Sequence, residues 1–225
     1  MADAAAKTVT IATVILAGGK GTRLGTVDKA QLRLWGETLR DHVLARLPGD
    51  GPILIAIGSG RSDRPLPDGV VAIADGAGDS GPLAGVLSAA RWLASRRPDC
   101  TLLHSVPVDS PFLPLNLAAT LERALPPHCA AIFPRCHAQV AWAHGLWRIE
   151  ALLAAGKSLE PPLPGPRGLA AGVNTAVLDW PADGDEDPFA GINTLAELLA
   201  ATRKFARANN PQEVKSGLGK ADQTG

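Results

Sequence analysis

Long apolar runs, an excess of either charge and a cysteine framework are all missing from this sequence. No hydrophobic stretch approaches the roughly 20 residues that cross a bilayer, so we expect no membrane-spanning segment and no membrane partner. The 22 basic and 22 acidic residues give zero net charge, which argues against a broad basic face for nucleic acid. Cys100, Cys129 and Cys136 are too few and too scattered for a disulfide framework or a zinc site. Residues 1–7 lack the basic start and apolar core of a secretory signal, so we expect a soluble, cytoplasmic protein.

What the sequence does have is 46% hydrophobic residues, 24 glycines and 19 prolines in 225 residues, enough for one sizeable core with many turns. In the first half, predicted strands alternate with predicted helices, and that order is typical of a largely parallel sheet covered on both faces. The strands are predicted at Val9–Leu16, Ile53–Ile57, Val70–Ala74 and Thr101–Val106, and the helices from Thr38, from Leu83 and at Leu115–Leu125. We therefore predict an α/β fold, a three-layer α/β/α sandwich with a mostly parallel, Rossmann-like sheet.

The second half is less regular. Its predicted strands are Ala130–Phe133, Gln139–Trp142 and Val173–Trp180; its predicted helices are Leu146–Ala155 and Leu195–Phe205; and Ser158–Gly172 is predicted as a loop. Thr194 is in position to cap the last helix, with Glu197 three residues later. We expect one domain over 8–206, divided into a nucleotide-binding half (8–125) and an acceptor-binding half (126–206), followed by a disordered tail at 207–225.

The glycine-rich segment between the first strand and the first helix, Gly18 to Gly25, is the most informative stretch of the chain. A loop of this kind exposes several backbone N–H groups together and suits a phosphate, and Arg23 and Lys29 add positive charge. Two known phosphate loops are excluded by spacing. A Walker loop needs Ser or Thr after Gly-Lys, and the dinucleotide fingerprint needs a third glycine where Leu24 stands.

The segment 16–25, Leu-Ala-Gly-Gly-Lys-Gly-Thr-Arg-Leu-Gly, followed by Asp28-Lys29, resembles the signature loop of nucleotidyltransferases with a glycosyltransferase-A-like fold. Within that group it is most similar to the molybdenum cofactor guanylyltransferases, the MobA-type proteins. Three further stretches match the family's motifs in the same order: Gly-Pro-Leu-Ala-Gly at 81–85, Pro-Val-Asp-Ser-Pro-Phe-Leu-Pro at 107–114, and Phe-Ala-Gly-Ile-Asn-Thr-Leu-Ala-Glu-Leu at 189–198. The resemblance implies the nucleotide-diphospho-sugar transferase-like form of the α/β fold.

By this resemblance the reaction is transfer of GMP from GTP to the terminal phosphate of molybdenum-molybdopterin, with Mg²⁺ as cofactor and pyrophosphate as the second product. The acceptor phosphate is already ionised at neutral pH, so the reaction needs no general base. A role in cofactor maturation implies docking to cofactor-delivery or molybdoenzyme-maturation proteins.

The resemblance and the loop chemistry together give a predicted set of site residues. The nucleotide-binding residues are Leu16, Ala17, Gly18, Gly19, Gly21, Thr22, Arg23, Lys29, Asp75, Gly81, Pro82 and Asp109; the catalytic ones are Arg23, Lys29 and Asp109; the metal ligand is Asp109; the acceptor-binding ones are His144 and Asn193.

Several of these assignments have alternatives. Asp109 ends the fourth strand, on the side of the sheet where ligands bind, and could hold Mg²⁺ or serve only in a turn or a helix cap. Asp75 is a nucleotide contact by resemblance or a turn residue, and Asn193 contacts metal or phosphate or caps the last helix. The remaining histidines, at 42, 104, 128 and 137, are interpreted as structural.

Two positions depart from the family pattern in the acceptor half. Gly191 replaces the first asparagine of the closing motif, and Gly145 follows His144 where the family has proline. Both departures bear on the acceptor more than on the reaction class. The competing hypotheses are therefore a related nucleotidyltransferase with another acceptor or base, such as sugar 1-phosphate or cytidylyl transfer, and a nucleotide-binding homologue without catalysis.

Overall fold

The computed structural model describes residues 10–18, 28–57, 65–74, 81–160, 162–182, 184 and 186–209. The strands in these residues are β1 (Thr10–Leu16), β2 (Arg33–Leu34), β3 (Glu37–Thr38), β4 (Ile53–Ala56), β5 (Val70–Ile73), β6 (Cys100–Pro107), β7 (Ala131–Cys136), β8 (Gln139–Val140), β9 (Leu146–Arg148) and β10 (Thr175–Asp179). The helices are α1 (Leu39–Leu44), α2 (Pro82–Arg96), α3 (Leu117–Ala124), α4 (Ile149–Gly156), α5 (Pro166–Ala171) and α6 (Leu195–Asn209), and a 3-10 turn spans Lys29–Gln31.

The main sheet has the strand order β10-β7-β9-β6-β1-β4-β5, and β8 pairs with β7. β1 lies in the middle and pairs in parallel with both β4 and β6, β4 pairs in parallel with β5, and β7 pairs in parallel with β10. β9 lies antiparallel between β6 and β7 and joins the two parallel groups. The sheet is therefore mixed, with the parallel core that the sequence predicts.

Both faces of this sheet are covered by helices. Successive side chains of a buried strand point to opposite faces, so neighbouring residues of one strand pack against different helices. In β1, the side chain of Val14 joins a core cluster that includes Leu87 of α2 and Leu152 of α4. The next residue, Ile15, joins a second cluster with Leu121 of α3 on the other face. The three-layer α/β/α sandwich is thus confirmed.

The predicted helix at Leu146–Ala155 is wrong over its first three residues, which form β9. Here the backbone pairs with β6 and β7 instead of turning: the N–H of Ser105 donates to the carbonyl of Gly145 at 2.8 Å, and His104 is the register partner of Leu146. A strand of three residues shows no period of its own in the sequence, so the pattern predicts one continuous helix here. The helix begins at Ile149.

The predicted loop at Ser158–Gly172 is also wrong in part, because α5 occupies Pro166–Ala171. Pro166 is the first helical residue, where its missing N–H costs nothing and its fixed φ suits a helix. At the C-terminus, α6 runs to Asn209, so residues 207–209 of the predicted tail are helical, and residues 210–225 lie outside the described part. No helix in the described residues has the length and apolar character to span a membrane.

Candidate active site

The carboxyl ends of β1 and β6 place Gly18, the first residue of the predicted phosphate loop, near Asp109, the predicted metal ligand. β1 ends at Leu16, and Gly18 begins the glycine-rich segment two residues later. β6 runs beside it, and the N–H of Val108 donates to the carbonyl of Leu16 at 3.2 Å, which extends the pairing beyond the strand. Asp109 follows directly. The ends of neighbouring parallel strands thus bring together residues about 90 positions apart in sequence.

Lys29 reaches this strand end from the 3-10 turn that follows the loop. Asp28 caps that turn, because its carboxylate accepts a hydrogen bond from the N–H of Ala30 at 3.0 Å. The Lys29 ammonium lies 2.7 Å from Asp109 Oδ2, and the two side chains are only 15% and 16% exposed. The same ammonium donates to Asn193 Oδ1. One cation is therefore shared between a carboxylate and an amide oxygen.

Asn193 is brought to Asp109 by the segment that precedes α6. The N–H of Ile192 donates to the backbone carbonyl of Asp109 at 2.8 Å. Thr194 caps the helix as predicted, with Glu197 Oε2 accepting from the N–H of Thr194 at 2.8 Å and the N–H of Glu197 facing Thr194 Oγ1 at 3.2 Å. The pKa of Glu197 lies below its ordinary value, first because the N–H of Asn193 bonds its carboxylate. The Asn193 side chain stays free of the cap and faces Lys29.

A cavity of about 210 Å³ opens in front of Lys29 and Asp109. The N-terminal end of α2 forms one wall, and the partial positive charge of a helix N-terminus favours a phosphate there. Gly81 precedes this helix with a φ of 95°, in the left-handed region that favours glycine. The lining residues are Leu16, Ala17, Gly18, Lys29, Ala56, Gly81, Pro82, Gly85, Pro107, Val108, Asp109 and Ala143.

A second cavity, of about 380 Å³, lies on the other side of Asp109. Pro107, Asp109 and Ala143 line both cavities, so the two spaces meet at the end of β6. The other lining residues of the second cavity are Ser110, Gln139, Val140, Ala141, Trp142, His144, Asp187, Phe189, Ala190 and Gly191.

His144 lies in the wall of the second cavity and is only 3% exposed. Its ring packs on Phe189 with 5.3 Å between ring centroids, and neither ring nitrogen bonds another described residue. Burial, together with the nearby His104, lowers the pKa of His144 to about 3, and burial lowers that of His104 to about 4. Both rings are therefore neutral at pH 7.

The structure brings most of the predicted site residues together. Leu16, Ala17, Gly18, Lys29, Gly81, Pro82 and Asp109 line the first cavity, His144 lines the second, and Asn193 bonds Lys29. Gly19, Gly21, Thr22, Arg23 and Asp75 lie outside the described residues.

Sequence reasoning missed other residues of the site. Ser110, Gln139, Asp187 and Phe189 line the second cavity but were not predicted as site residues. At Asp187 the sequence does indicate a turn, because Asp before Pro188 favours one. The structure shows that turn, in which the Asp187 carboxylate accepts a hydrogen bond from the N–H of Phe189 at 2.9 Å. Gln139, in a two-residue strand, offered no such signal.

Within the described ranges, no cluster of three or more His, Cys, Asp or Glu side chains could hold a metal ion. Asp109 is the one carboxylate that the described residues contribute to the first cavity.

Known proteins of one family are similar to this chain in sequence. The family model for the MobA-like NTP transferase domain matches residues 13–163. A molybdenum cofactor guanylyltransferase from Acidiphilium cryptum is 43% identical over 84% of this chain and 92% of its own length. One of the same name from Rhodopseudomonas palustris strain HaA2 is 36% identical over 84% of this chain and 89% of its own.

Solved structures share the fold at low identity. Molybdopterin-guanine dinucleotide biosynthesis protein A from Archaeoglobus fulgidus superposes with a TM-score of 0.68 at 18% identity, covering 87% of this chain and 99% of that one. A CMP:2-keto-3-deoxy-manno-octonic acid synthetase in complex with CTP superposes with a TM-score of 0.65 at 14% identity, covering 88% and 99%. The family model and the curated relatives both cover most of the chain, and they confirm the resemblance to the molybdenum cofactor guanylyltransferases. This chain therefore belongs to the MobA-like NTP transferases and is a nucleotidyltransferase.

Proposed function

We propose that this chain transfers GMP from GTP to the terminal phosphate of molybdenum-molybdopterin, forming the guanine dinucleotide cofactor and releasing pyrophosphate. The observation that carries the proposal is the meeting of two cavities at Asp109. A transferase that joins two substrates needs two pockets that open on one point. The names of the relatives support guanylyl transfer as the specific reaction.

In this proposal the first cavity holds the triphosphate of GTP. Lys29 supplies a positive charge at Asp109, and the N-terminal end of α2 supplies the partial charge of its dipole. The glycine-rich loop beginning at Gly18 adds backbone N–H groups, and Arg23, Asp75 and the other loop residues named from the sequence complete the nucleotide site. These groups are suited to the charge that builds on the α-phosphate and on the departing pyrophosphate.

The residues present fit a magnesium ion. Mg²⁺ is commonly held by one or two carboxylates together with substrate phosphates and water, not by a cage of protein ligands. Asp109 provides one carboxylate where the two cavities meet. Asn193 Oδ1 is close to it, because both oxygens accept a hydrogen bond from the Lys29 ammonium. When bound, the ion would lend Lewis-acid stabilisation to the phosphate oxygens.

The chemistry then requires one bond to form and one to break. An oxygen of the acceptor's terminal phosphate bonds to the α-phosphorus of GTP, and the bond from that phosphorus to the bridging oxygen of pyrophosphate breaks. The acceptor oxygen is already ionised at neutral pH, so no proton has to be removed. This agrees with a site whose only nearby histidine, within the described residues, is buried and neutral.

The second cavity is assigned to the acceptor. His144, predicted as an acceptor-binding residue, lies in its wall, with both ring nitrogens shielded from solvent. Trp142 offers a flat surface in the same cavity, and Gln139 and Ser110 offer polar groups. The cavity thus combines the aromatic and polar groups that a flat, polar heterocycle needs.

The test is pyrophosphate release by the purified protein with Mg²⁺, each nucleoside triphosphate in turn, and molybdopterin. We expect release with GTP and the pterin, and loss of turnover in Asp109→Asn. The matched control is Asp99→Asn, an exposed carboxylate at the opposite end of β6 that bonds Arg97, which should keep wild-type turnover. Release with CTP or with a sugar 1-phosphate, but not with GTP and the pterin, would contradict the proposal.

A further inference from the structure

Glu197 belongs to the closing motif, but the proposed function gives it no role. It lies exposed in the first turn of α6, and a single oxygen of its carboxylate, Oε2, accepts two backbone hydrogen bonds. The N–H of Thr194 donates at 2.8 Å and the N–H of Asn193 at 2.6 Å. In a capping box, a glutamate three residues after the cap bonds the N–H of the cap residue. The bond from Thr194 is that bond, whereas the bond from Asn193 lies outside the helix and is additional to the cap.

The additional bond acts on the residue whose side chain bonds Lys29. Asn193 Oδ1 accepts from the Lys29 ammonium, and Asn193 Nδ2 donates to the carbonyl of Gly191 at 3.1 Å. An asparagine side chain has only two rotatable bonds, so the position of its backbone largely decides where Oδ1 lies. Glu197 therefore fixes, through the backbone of Asn193, the oxygen that bonds Lys29.

The effect of Glu197 on Lys29 depends on this hydrogen bond more than on charge. The pKa of Glu197 lies below its ordinary value, and the N–H of Asn193 is the largest cause, while the positive charge of Lys29 is the smallest. Charges on exposed side chains are also screened by water and salt. We therefore expect removal of the acceptor oxygen to matter more than removal of the charge.

We propose that Glu197 is a positioning residue for Lys29: its carboxylate holds the backbone N–H of Asn193 and so keeps Asn193 Oδ1 on the Lys29 ammonium. Asp109 Oδ2 accepts from the same ammonium, so the lysine is held between two acceptors before any nucleotide binds. A cation fixed in advance in this way needs no reorganisation when charge develops on a phosphate. The inference rests on the proposed function, in which Lys29 acts on the triphosphate.

The first measurement needs no reaction. The ¹⁵Nζ NMR signal of Lys29, identified by its loss in Lys29→Met, reports the surroundings of the ammonium in the protein without nucleotide. Asn193→Ala removes the amide and should shift this signal. Glu197→Ala should shift it in the same direction, and should cause no further shift when residue 193 is already alanine.

The second measurement is a double-mutant cycle on kcat/KM for GTP in pyrophosphate release. Glu197→Ala should lower kcat/KM about 10-fold, the order expected when a hydrogen bond to a charged group is lost, but should cause no further loss in the Asn193→Ala variant. The free energy of unfolding should fall equally in both backgrounds, because Glu197→Ala removes the bond from the Thr194 N–H in each. A role limited to stability would lower kcat/KM equally in both as well.

Two control variants separate the hydrogen bond from the charge and from the helix cap. Glu197→Gln keeps an oxygen that can accept both bonds and removes the charge, so it should stay near wild type in both measurements. Thr194→Ala removes the hydroxyl that accepts from the N–H of Glu197 at 3.2 Å but keeps both bonds to Oε2. Its kcat/KM should therefore also stay near wild type.

The possible outcomes are distinct. An unmoved Lys29 signal in Glu197→Ala would overturn the inference. So would losses of kcat/KM of the same size in both backgrounds, in Glu197→Gln or in Thr194→Ala. Wild-type protein that releases no pyrophosphate with GTP and the pterin would contradict the proposed function, and the NMR cycle would then decide the inference alone.

Discussion

The Lys29 ammonium lies 2.7 Å from Asp109 Oδ2, although 80 residues separate the two in the chain. Both side chains are mostly shielded from solvent, where an ion pair is stronger than on an open surface. The same lysine bonds Asn193, 164 residues away. Three distant segments of the chain are thus joined at one positive charge, and that charge lies in the wall of the first cavity.

Lys29→Met should reduce kcat about 100-fold, the order expected when one preorganised cationic or hydrogen-bonding group is removed from a transition state. The methionine retains most of the length of the side chain and removes the charge. Steady-state pyrophosphate release measures the effect. The matched control is Lys157→Met at the exposed end of α4, and a loss of similar size in that variant would contradict a specific role for Lys29.

Gly145→Pro should destabilise the protein, although the family motif has proline here. A Cβ at this position would stand 2.5 Å from Phe133 Cε1 and 2.9 Å from Trp147 Nε1. Proline would also remove the N–H that faces Ser105 Oγ at 3.3 Å. Overpacking of this kind costs about 1–3 kcal/mol, to be measured by urea unfolding, with Gly49→Ala, where a Cβ meets nothing within 4 Å, as control. Unchanged stability in Gly145→Pro would show that the two aromatic rings can move aside.

The free energy of unfolding should fall as the pH drops from about 6.5 towards 4. The pKa values of buried His104 and His144 are lowered to about 4 and about 3, so in this range the unfolded chain binds protons that the folded chain does not. Each histidine adds a slope of about 1.4 kcal/mol per pH unit between its folded and unfolded pKa. Urea unfolding at pH 7 and pH 5 measures the slope.

The carboxylates with lowered pKa values, among them Glu197 and Asp41, do not contribute to this slope. The stability that they add is lost only below about pH 5. His104→Asn should therefore flatten the slope between pH 7 and 5 even if it lowers stability overall. An unchanged slope in that variant would contradict the assignment to His104.

Thr194→Ala should lower the free energy of unfolding by about 1 kcal/mol through loss of the helix cap. The Thr194 hydroxyl accepts from the N–H of Glu197 at 3.2 Å. Thr194→Ser keeps the hydroxyl and should stay close to wild type. A loss of the same size in the serine variant would assign the effect to packing instead of capping.

The sequence was sufficient for the parallel half of the fold and for the residues at its strand ends. Each of the strands β1, β4, β5 and β6 is an apolar run with a glycine or proline close to its end. The type and the ends of these strands can therefore be recognised from the sequence alone. Asp109 could be placed by the rule that parallel strands end on one side of the sheet. β9 could not, because three residues carry no period and their pairing depends on β6, 42–46 residues upstream, and on β7, 14–16 residues upstream.

The second cavity was less predictable for a physical reason. Its wall comes from short segments around residues 139–144 and 187–191 that gain their places from tertiary contacts, such as the ring of His144 on Phe189. The surroundings of Gly191 likewise depend on tertiary contacts, because a Cβ there would stand 3.1 Å from Asp109 Oδ1. The sequence shows glycine where the motif has asparagine, but only the structure shows which side chains lie beside it.

The placement of the tryptophans gives the protein an optical signal of its own. Trp142 is in the wall of the second cavity and packs against Phe133, with 5.0 Å between ring centroids. The described lining of the first cavity contains no tryptophan. A molecule that enters the second cavity changes the surroundings of an indole directly, whereas one held in the first cavity does not touch it. The part of the intrinsic emission that Trp142→Phe removes from the signal of the five tryptophans can therefore follow the occupancy of the second cavity while the first fills, without any attached dye.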